Sequence, residues 1–141
     1  MKKILFICLF IGSFGMVYSQ NTSAVINLTT SDFLSKVHNF EKNKSTWAYE
    51  GNLPCIIDFY ADWCRPCREV APIMEEIAQK YKGQIIVYKV NIDKERRVVE
   101  VFGIRSIPMF LFVPMQGKPV MGQGVMPMKE FERAINQILL K

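Results

Sequence analysis

The sequence predicts an α/β domain with a central mixed β-sheet that is flanked by helices on both faces. Strand-like and helical patterns follow one another in the order β-α-β-α-β-α-β-β-α, so parallel crossovers come first and a hairpin comes last. The segment 55–61 is almost entirely apolar, which is typical of a central strand covered on both faces. A chain of 141 residues is long enough for one such domain and short for two.

The N-terminal segment has the pattern of a secretory signal peptide. Lys2 and Lys3 precede an apolar run over residues 4–11, and the residues before Gln20 are small enough for cleavage there. An uncleaved membrane anchor is the alternative, but the apolar run is broken by glycine and serine and is short for a membrane span. We therefore expect an exported protein of the periplasm or cell envelope, with a mature domain over residues 20–141 that is not inserted in the membrane.

The charge of the chain does not indicate a nucleic-acid partner. Of its 18 basic and 13 acidic residues, the signal peptide over residues 1–19 holds two lysines and no acid, so the mature chain keeps 16 basic groups and a net charge of +3. These charges are dispersed, and no basic run is interleaved with aromatic residues as in a nucleic-acid groove.

The first elements are predicted from periodicity and capping residues. A weak alternation predicts an edge strand over 24–28, and a threonine or serine at 29–31 then caps a helix with apolar residues at 33, 37 and 40. His38 is expected on the solvent side of this helix. A polar segment over 41–52 follows, and it ends in turn residues before the central strand over 55–61.

The second half of the chain continues the alternation. The predicted elements are a helix over 64–82 that is kinked at Pro72 and ended by Gly83, a strand over 84–92, a helix over 93–102, a strand over 109–113, an edge strand over 119–123 and a final helix after Pro127. Pro108 stands at the front of the strand 109–113, where proline is tolerated, and a cis Ile107–Pro108 bond is one possible reason for it.

Cys64 and Cys67 lie where the central strand passes into the next helix. A cysteine in the first turn of a helix lies over unpaired N–H groups and the positive end of the helix dipole, which stabilise its thiolate. The thiol is then a better nucleophile near neutral pH and a better leaving group. Two intervening residues bring the sulfurs close enough for a small disulfide, and Pro66 has no N–H to lose there.

Half of a zinc site and a structural disulfide are the alternatives for this pair. Structural zinc needs four ligands, whereas the chain has no second Cys-x-x-Cys and a single histidine, His38. We therefore expect no metal. Cys55, the remaining cysteine of the mature chain, lies on the central strand and is expected to be buried and unreactive.

Asp58 is a carboxylate in the middle of the central strand. Alternation places it on one face with Ile56 and Tyr60, where burial should raise its pKa. A carboxyl with a raised pKa six residues before Cys64 suits a proton acceptor for the second thiol, although backbone groups or water would also satisfy it. Lys89, on the next strand, is the cation that could pair with it.

These motifs together resemble the thioredoxin family over about residues 25–141. The resemblance rests on four motifs in the same order and spacing as in that family: Asp58 to Cys67 with Pro72 in the helix, Lys89 to Asp93, Phe102 to Pro108, and Gly117. It implies a thioredoxin fold and no cofactor other than a redox-active disulfide.

The resemblance also implies roles for individual residues. Cys64 would be the exposed nucleophile that attacks a substrate disulfide, and Cys67 would be the buried thiol that resolves the mixed disulfide. Asp58, with Lys89, would manage the proton of Cys67.

A substrate surface is implied in the same way. Pro108 would be cis and would lie with Ile107 against the disulfide, where the Ile107 backbone could pair with an extended substrate segment. The other residues assigned to substrate binding are Trp63, Arg65, Pro66 and Gly124.

Two residues depart from the family pattern. Arg65 replaces the usual glycine after the first cysteine, and its charge should favour the Cys64 thiolate and make the pair more oxidising. Ser106 stands where glycine is common before Ile-Pro, which affects the choice of partner.

The expected function is reduction of protein disulfides outside the cytoplasm by a monomer that receives electrons from a membrane donor. A disulfide oxidant or isomerase is the alternative within the same chemistry. A redox-silent module that uses the fold only to bind a partner's strand is the alternative from another class.

Overall fold

The computed structural model describes residues 23–141, so the expected signal peptide lies outside the described residues. The elements in chain order are β1 (Ile26–Asn27), α1 (Thr30–Lys36), β2 (Cys55–Tyr60), α2 (Arg65–Lys80), β3 (Ile86–Asn91), α3 (Arg96–Val101), β4 (Met109–Val113), β5 (Val120–Gln123) and α4 (Met128–Ala134), which continues into a π-helical turn over Ile135–Leu139.

The strands form one sheet in the order β1-β3-β2-β4-β5. Strands β1, β3 and β2 are parallel, whereas β4 is antiparallel to β2 and β5 is antiparallel to β4. The chain therefore makes its crossovers first and its hairpin last, as the order of elements predicts. This confirms the mixed sheet.

One face of the sheet is covered by α2 and α4. Period-two alternation directs Ile56 of β2 and Phe110 of β4 to this face, and the ring of Phe110 meets Phe131 of α4 edge to face at 4.8 Å between centroids. Helix α2 contributes an apolar stripe at helical spacing, formed by Val70, Met74 and Ile77.

The opposite face is covered by α1 and α3. Cys55, Ile57 and Phe59 of β2 point to this side, where they pack with Phe33 of α1 and Val98 of α3. All five side chains are fully buried. The sheet is thus covered on both faces, which explains why β2 is almost entirely apolar.

Helix α1 is shorter than its sequence pattern predicts. Thr29 caps it through a reciprocal pair of hydrogen bonds with Asp32, but the helix ends at Lys36. The prediction that His38 is a solvent-side helix residue is therefore wrong. His38 is buried beneath the following loop, with its ring stacked on Trp47 and Nδ1 at 2.9 Å from the Ala48 carbonyl oxygen.

The site predicted around the cysteines lies at the carboxyl end of the parallel strands. Strand β2 ends at Tyr60, and α2 begins five residues later at Arg65, so the N-terminus of α2 faces this edge of the sheet. Such an edge is where α/β sheets place their ligands and reactive groups.

Candidate active site

Cys64 and Cys67 form a disulfide at the N-terminus of α2, with their Cα atoms 5.3 Å apart. Cys64 is the N-cap residue, Pro66 lies in the first turn, and the Cys67 N–H donates a hydrogen bond of 3.2 Å to Cys64 Sγ. When the disulfide is reduced, this N–H and the dipole of a 16-residue helix favour negative charge on Cys64. The backbone therefore stabilises the thiolate form of Cys64.

Exposure does not distinguish the two cysteines. Cys64 and Cys67 are each 4% exposed, and both pack against Ala61 and Ile107. The expectation that Cys64 is the exposed member of the pair is therefore wrong for the disulfide form, in which both cysteines are buried to the same extent.

Trp63 forms the exposed rim beside the disulfide. Its side chain is 66% exposed, and its indole Nε1 donates a hydrogen bond of 2.9 Å to Asp93 Oδ2, just beyond β3. This bond fixes the orientation of a large apolar ring that would otherwise be mobile at the surface. The residue next to Cys64 in the chain is thus an exposed aromatic ring held in place.

The loop before β4 lies on the other side of the disulfide. The Ile107–Pro108 bond is cis, as the sequence suggested, and Ile107 packs against the two cysteines. Gly124 N–H donates a hydrogen bond of 2.9 Å to the Pro108 carbonyl oxygen, and its φ of +84° is one that glycine adopts without strain. The end of β5 is thereby joined to the proline loop.

Asp58 is a buried carboxyl on the face of the sheet that α2 covers. Its side chain is 5% exposed and its Oδ1 has no hydrogen-bond partner. Burial raises the pKa of Asp58 to about 7, and the positive charge of Lys89 opposes part of that rise. The direction agrees with the sequence-based expectation.

A cavity of about 370 Å³ connects Asp58 with α2. Ala71, Glu75 and Lys89 are among the residues that line it. Ala71 lies one helical turn after Cys67 on α2. The cavity therefore places Asp58 against the helix that carries Cys67.

Lys89 stands opposite Asp58 in the pairing of β2 with β3. However, the ion pairs among the described residues do not include these two side chains. The Lys89 ammonium group instead lies over the ring of Tyr60, 5.8 Å from its centroid. Lys89 therefore acts on Asp58 through its field and not through a direct bond.

Arg65 lies in solvent on the first turn of α2, beside Glu69. Its side chain is 85% exposed, and Nε lies 3.8 Å from Glu69 Oε1, one helical turn further on. Water screens both charges, so the effect of Arg65 on Cys64 is expected to be small.

Cys55 is the one free cysteine among the described residues and lies away from solvent in β2. Burial raises the pKa of its thiol to about 12, so it remains protonated and unreactive at neutral pH. This agrees with the expectation for a buried, inert cysteine.

Two residues near the site were not predicted as functional. Asp93 accepts the hydrogen bond from Trp63, but it enters the sequence-based predictions only as part of a motif. An acid shortly after a parallel strand is itself a signal for a site at that edge of the sheet. Gln123 donates a hydrogen bond of 2.8 Å to Ser106 Oγ, and nothing in its sequence context indicates this contact.

Within residues 23–141, no group of three or more potential metal-binding side chains comes together. None of the helices described there is long and apolar enough to cross a membrane.

The geometry suits one kind of chemistry, the exchange of a disulfide with the thiols or disulfides of another molecule. A helix N-terminus stabilises the attacking thiolate, a second cysteine lies close enough to displace it, and a buried carboxyl can take up a proton. These are the properties of a thiol–disulfide oxidoreductase.

Comparison with known proteins agrees with this class. The family model described as Thioredoxin matches residues 24–137. A thioredoxin of Borreliella burgdorferi is 43% identical over 110 residues, which are 78% of this chain and 93% of the relative. Thioredoxin 1 of a Nostoc species is 36% identical over 117 residues, which are 83% of this chain and 99% of the relative. The chain belongs to the thioredoxin family.

A solved structure supports the fold separately. Chloroplastic thioredoxin z superimposes with a TM-score of 0.67 over 80% of this chain and 92% of that chain, at 19% identity. The thioredoxin fold is therefore confirmed. Thioredoxins are protein-disulfide reductases that act on disulfide-containing proteins and use no cofactor beyond the redox-active disulfide.

Proposed function

We propose that the chain is exported and that its mature form reduces protein disulfides outside the cytoplasm as a monomer. A membrane electron donor then reduces its Cys64–Cys67 disulfide again. The observation that carries the proposed exchange reaction is Asp58, a buried carboxyl with an unpartnered oxygen in a cavity against α2, the helix that carries Cys67. A group that accepts a proton from Cys67 promotes the second step of disulfide reduction.

The reaction is an exchange of two electrons. The Cys64 thiolate attacks one sulfur of the substrate disulfide, forms a mixed disulfide and releases the other substrate sulfur as a thiolate. Cys67, after giving its proton to Asp58, attacks Cys64 Sγ and releases the second substrate thiolate. The Cys64–Cys67 pair is then oxidised, the substrate is reduced, and protons restore the two substrate thiols.

Export is supported by the pattern of residues 1–19, which lies outside the described residues. A basic start, an apolar run and small residues before Gln20 are the features that secretion machinery recognises. Outside the cytoplasm no reduced glutathione pool maintains thiols, so a reductase there needs electrons delivered through the membrane.

The activity is tested by reduction of the disulfides of insulin with dithiothreitol as the electron source. We expect turnover by residues 20–141, loss of turnover in Cys64→Ser, and a stable mixed disulfide in Cys67→Ser because resolution is blocked. Cys55→Ala is the control for a cysteine outside the site and should retain turnover. Equal turnover with and without Cys64 would contradict the proposed reaction.

Export is tested by expressing the complete chain in a bacterium and measuring the mass and location of the product. We expect the extracytoplasmic fraction to contain protein that begins at Gln20. The variant Leu9→Arg interrupts the apolar run and should remain in the cytoplasm with all 141 residues. A wild-type product that remains cytoplasmic would contradict export, and an uncleaved product in the membrane would indicate an anchor.

Disulfide formation or isomerisation is the second candidate, and Arg65 is the residue that favours it. A cation beside Cys64 stabilises the reduced form and makes the disulfide more oxidising. The high exposure of Arg65 and its neighbour Glu69 weaken this effect, which favours the reductase.

A redox-silent binding module needs no cysteine pair, so the Cys64–Cys67 disulfide argues against it.

A further inference from the structure

Ser106 and Gln123 form a hydrogen bond at the edge of the substrate surface. Gln123 Nε2 donates to Ser106 Oγ over 2.8 Å. Ser106 lies two residues before Pro108, and Gln123 is the last residue of β5, opposite Met109 in β4. Because Gly124 N–H binds the Pro108 carbonyl oxygen, the pair lies directly beside the backbone assigned to substrate docking.

Both side chains are exposed and keep unused hydrogen-bonding capacity. Ser106 Oγ accepts the bond, so its own hydroxyl hydrogen remains free to donate, while Gln123 keeps one Nε2 hydrogen to donate and its carbonyl oxygen Oε1 to accept. Among residues 23–141, this is the one side-chain hydrogen bond that either residue makes. The pair therefore presents neutral donors and a neutral acceptor side by side.

An exposed apolar side chain and an exposed cation adjoin the pair. Val125, two residues after Gln123, is 52% exposed, and Arg105 precedes Ser106. An apolar substrate side chain that covers Ser106 and Gln123 would remove their free groups from water without replacing the lost hydrogen bonds. The pair therefore disfavours an apolar substrate side chain at this position.

We propose that Ser106 and Gln123 determine substrate specificity by recognising a carboxamide side chain, Asn or Gln, next to the attacked cysteine. The proposal rests on the proposed disulfide-reductase function. A carboxamide offers one acceptor and two donors in a plane, which complements the free hydroxyl of Ser106 and the free carbonyl oxygen of Gln123. An ionised carboxylate can accept from the Ser106 hydroxyl and the remaining Gln123 N–H, but it has no donor for the Gln123 carbonyl oxygen, and an ammonium group has no acceptor for either donor.

The experiment uses synthetic disulfide peptides that differ at one residue only. This residue is Asn, Leu or Asp, and it is placed directly before the attacked cysteine in one set of peptides and directly after it in another. The catalyst is the mature chain, and kcat/KM is measured for each peptide. We expect kcat/KM to be roughly tenfold higher for Asn than for Leu or Asp, as for one or two exposed hydrogen bonds.

The variants Ser106→Ala and Gln123→Leu should each bring the Asn-to-Leu ratio close to one. Gln116→Leu is the matched control, since Gln116 is an exposed glutamine in the turn at the opposite end of the β4–β5 hairpin, and it should keep the tenfold ratio.

Three results would overturn the inference: an Asn-to-Leu ratio near one in the wild type, a ratio unchanged in both variants, or a preference for Asp, which would indicate recognition by the neighbouring Arg105. Each of these leaves the reductase function intact. A wild-type chain that reduces none of the peptides and no insulin would instead contradict the proposed function itself.

Discussion

Lys89 lies directly opposite Asp58 in the pairing of β2 with β3, but its ammonium group lies over the ring of Tyr60, 5.8 Å from the centroid. Asp58 is therefore buried beside a cation without being bound by it, and its Oδ1 has no partner. This arrangement leaves the carboxyl with a pKa of about 7, so it can both hold and release a proton near neutral pH.

The stability of the protein should fall as the pH rises from about 4 to about 7. In this range the unfolded chain has an ionised Asp58 while the folded chain keeps it protonated, so folding takes up a proton. A rise from 3.8 to about 7 corresponds to at most about 4 kcal/mol.

Asp58→Asn removes this dependence because the carboxamide does not titrate. We expect urea unfolding at about pH 8 to show a variant that is more stable than the wild type by about 2–4 kcal/mol, with little difference at about pH 4. An equal gain at both pH values would show that Asp58 does not titrate as described.

The rate of disulfide reduction should rise with pH as Asp58 ionises, whereas the stability falls. Ionised Asp58 accepts the Cys67 proton, so the rate of the resolving step should rise with pH through about 7 in the wild type. In Asp58→Asn we expect a loss of about a hundredfold near pH 7 and no such rise. Stopped-flow fluorescence during a single turnover measures both.

The matched control is Asp62→Asn, which removes an exposed carboxylate close to the same helix. It should retain the wild-type pH profile. A profile that changes equally in both variants would assign the effect to net charge near the disulfide and not to proton transfer at Asp58.

Lys89→Met should move the pH dependence to higher values. The positive charge of Lys89 lowers the pKa of Asp58, so its removal raises that pKa. We expect the midpoint of the rate profile to increase, while Lys118→Met, at the far end of the β4–β5 hairpin, leaves it in place. A midpoint that falls would mean that Lys89 does not act on Asp58.

Arg65→Gly should make the Cys64–Cys67 pair more reducing by a small amount. The loss of one exposed cation beside Cys64 destabilises its thiolate by less than about 1 kcal/mol, which is less than about 20 mV. Arg65→Lys keeps the charge and should retain the wild-type potential at equilibrium with glutathione. A shift of the same size in both variants would assign the effect to the shape of the loop.

The repeating features of the fold could be predicted from the sequence. Strand β4 has the predicted bounds 109–113, and the alternation of Cys55, Ile57 and Phe59 defines the face that they occupy. Both depend on periodicity, which is a local property of the chain. The position of the cysteine pair at the start of α2 follows from the same patterns.

Contacts between distant segments could not be predicted in this way. His38 is buried because the chain after α1 folds back over it, and Gln123 meets Ser106 because the β4–β5 pairing brings them together. The position of Lys89 over Tyr60 depends on the conformation of a long side chain. None of these contacts has a periodic signal.

The reduction potential of the Cys64–Cys67 pair tests the central claim most directly. A protein of residues 20–141 is equilibrated with defined dithiol and disulfide buffers, and the reduced fraction is measured by alkylation of Cys64 and Cys67. The account predicts a potential near the reducing end of the family range, between about −270 mV and about −230 mV. A value above about −180 mV, in the range of oxidants and isomerases, would contradict a reductase.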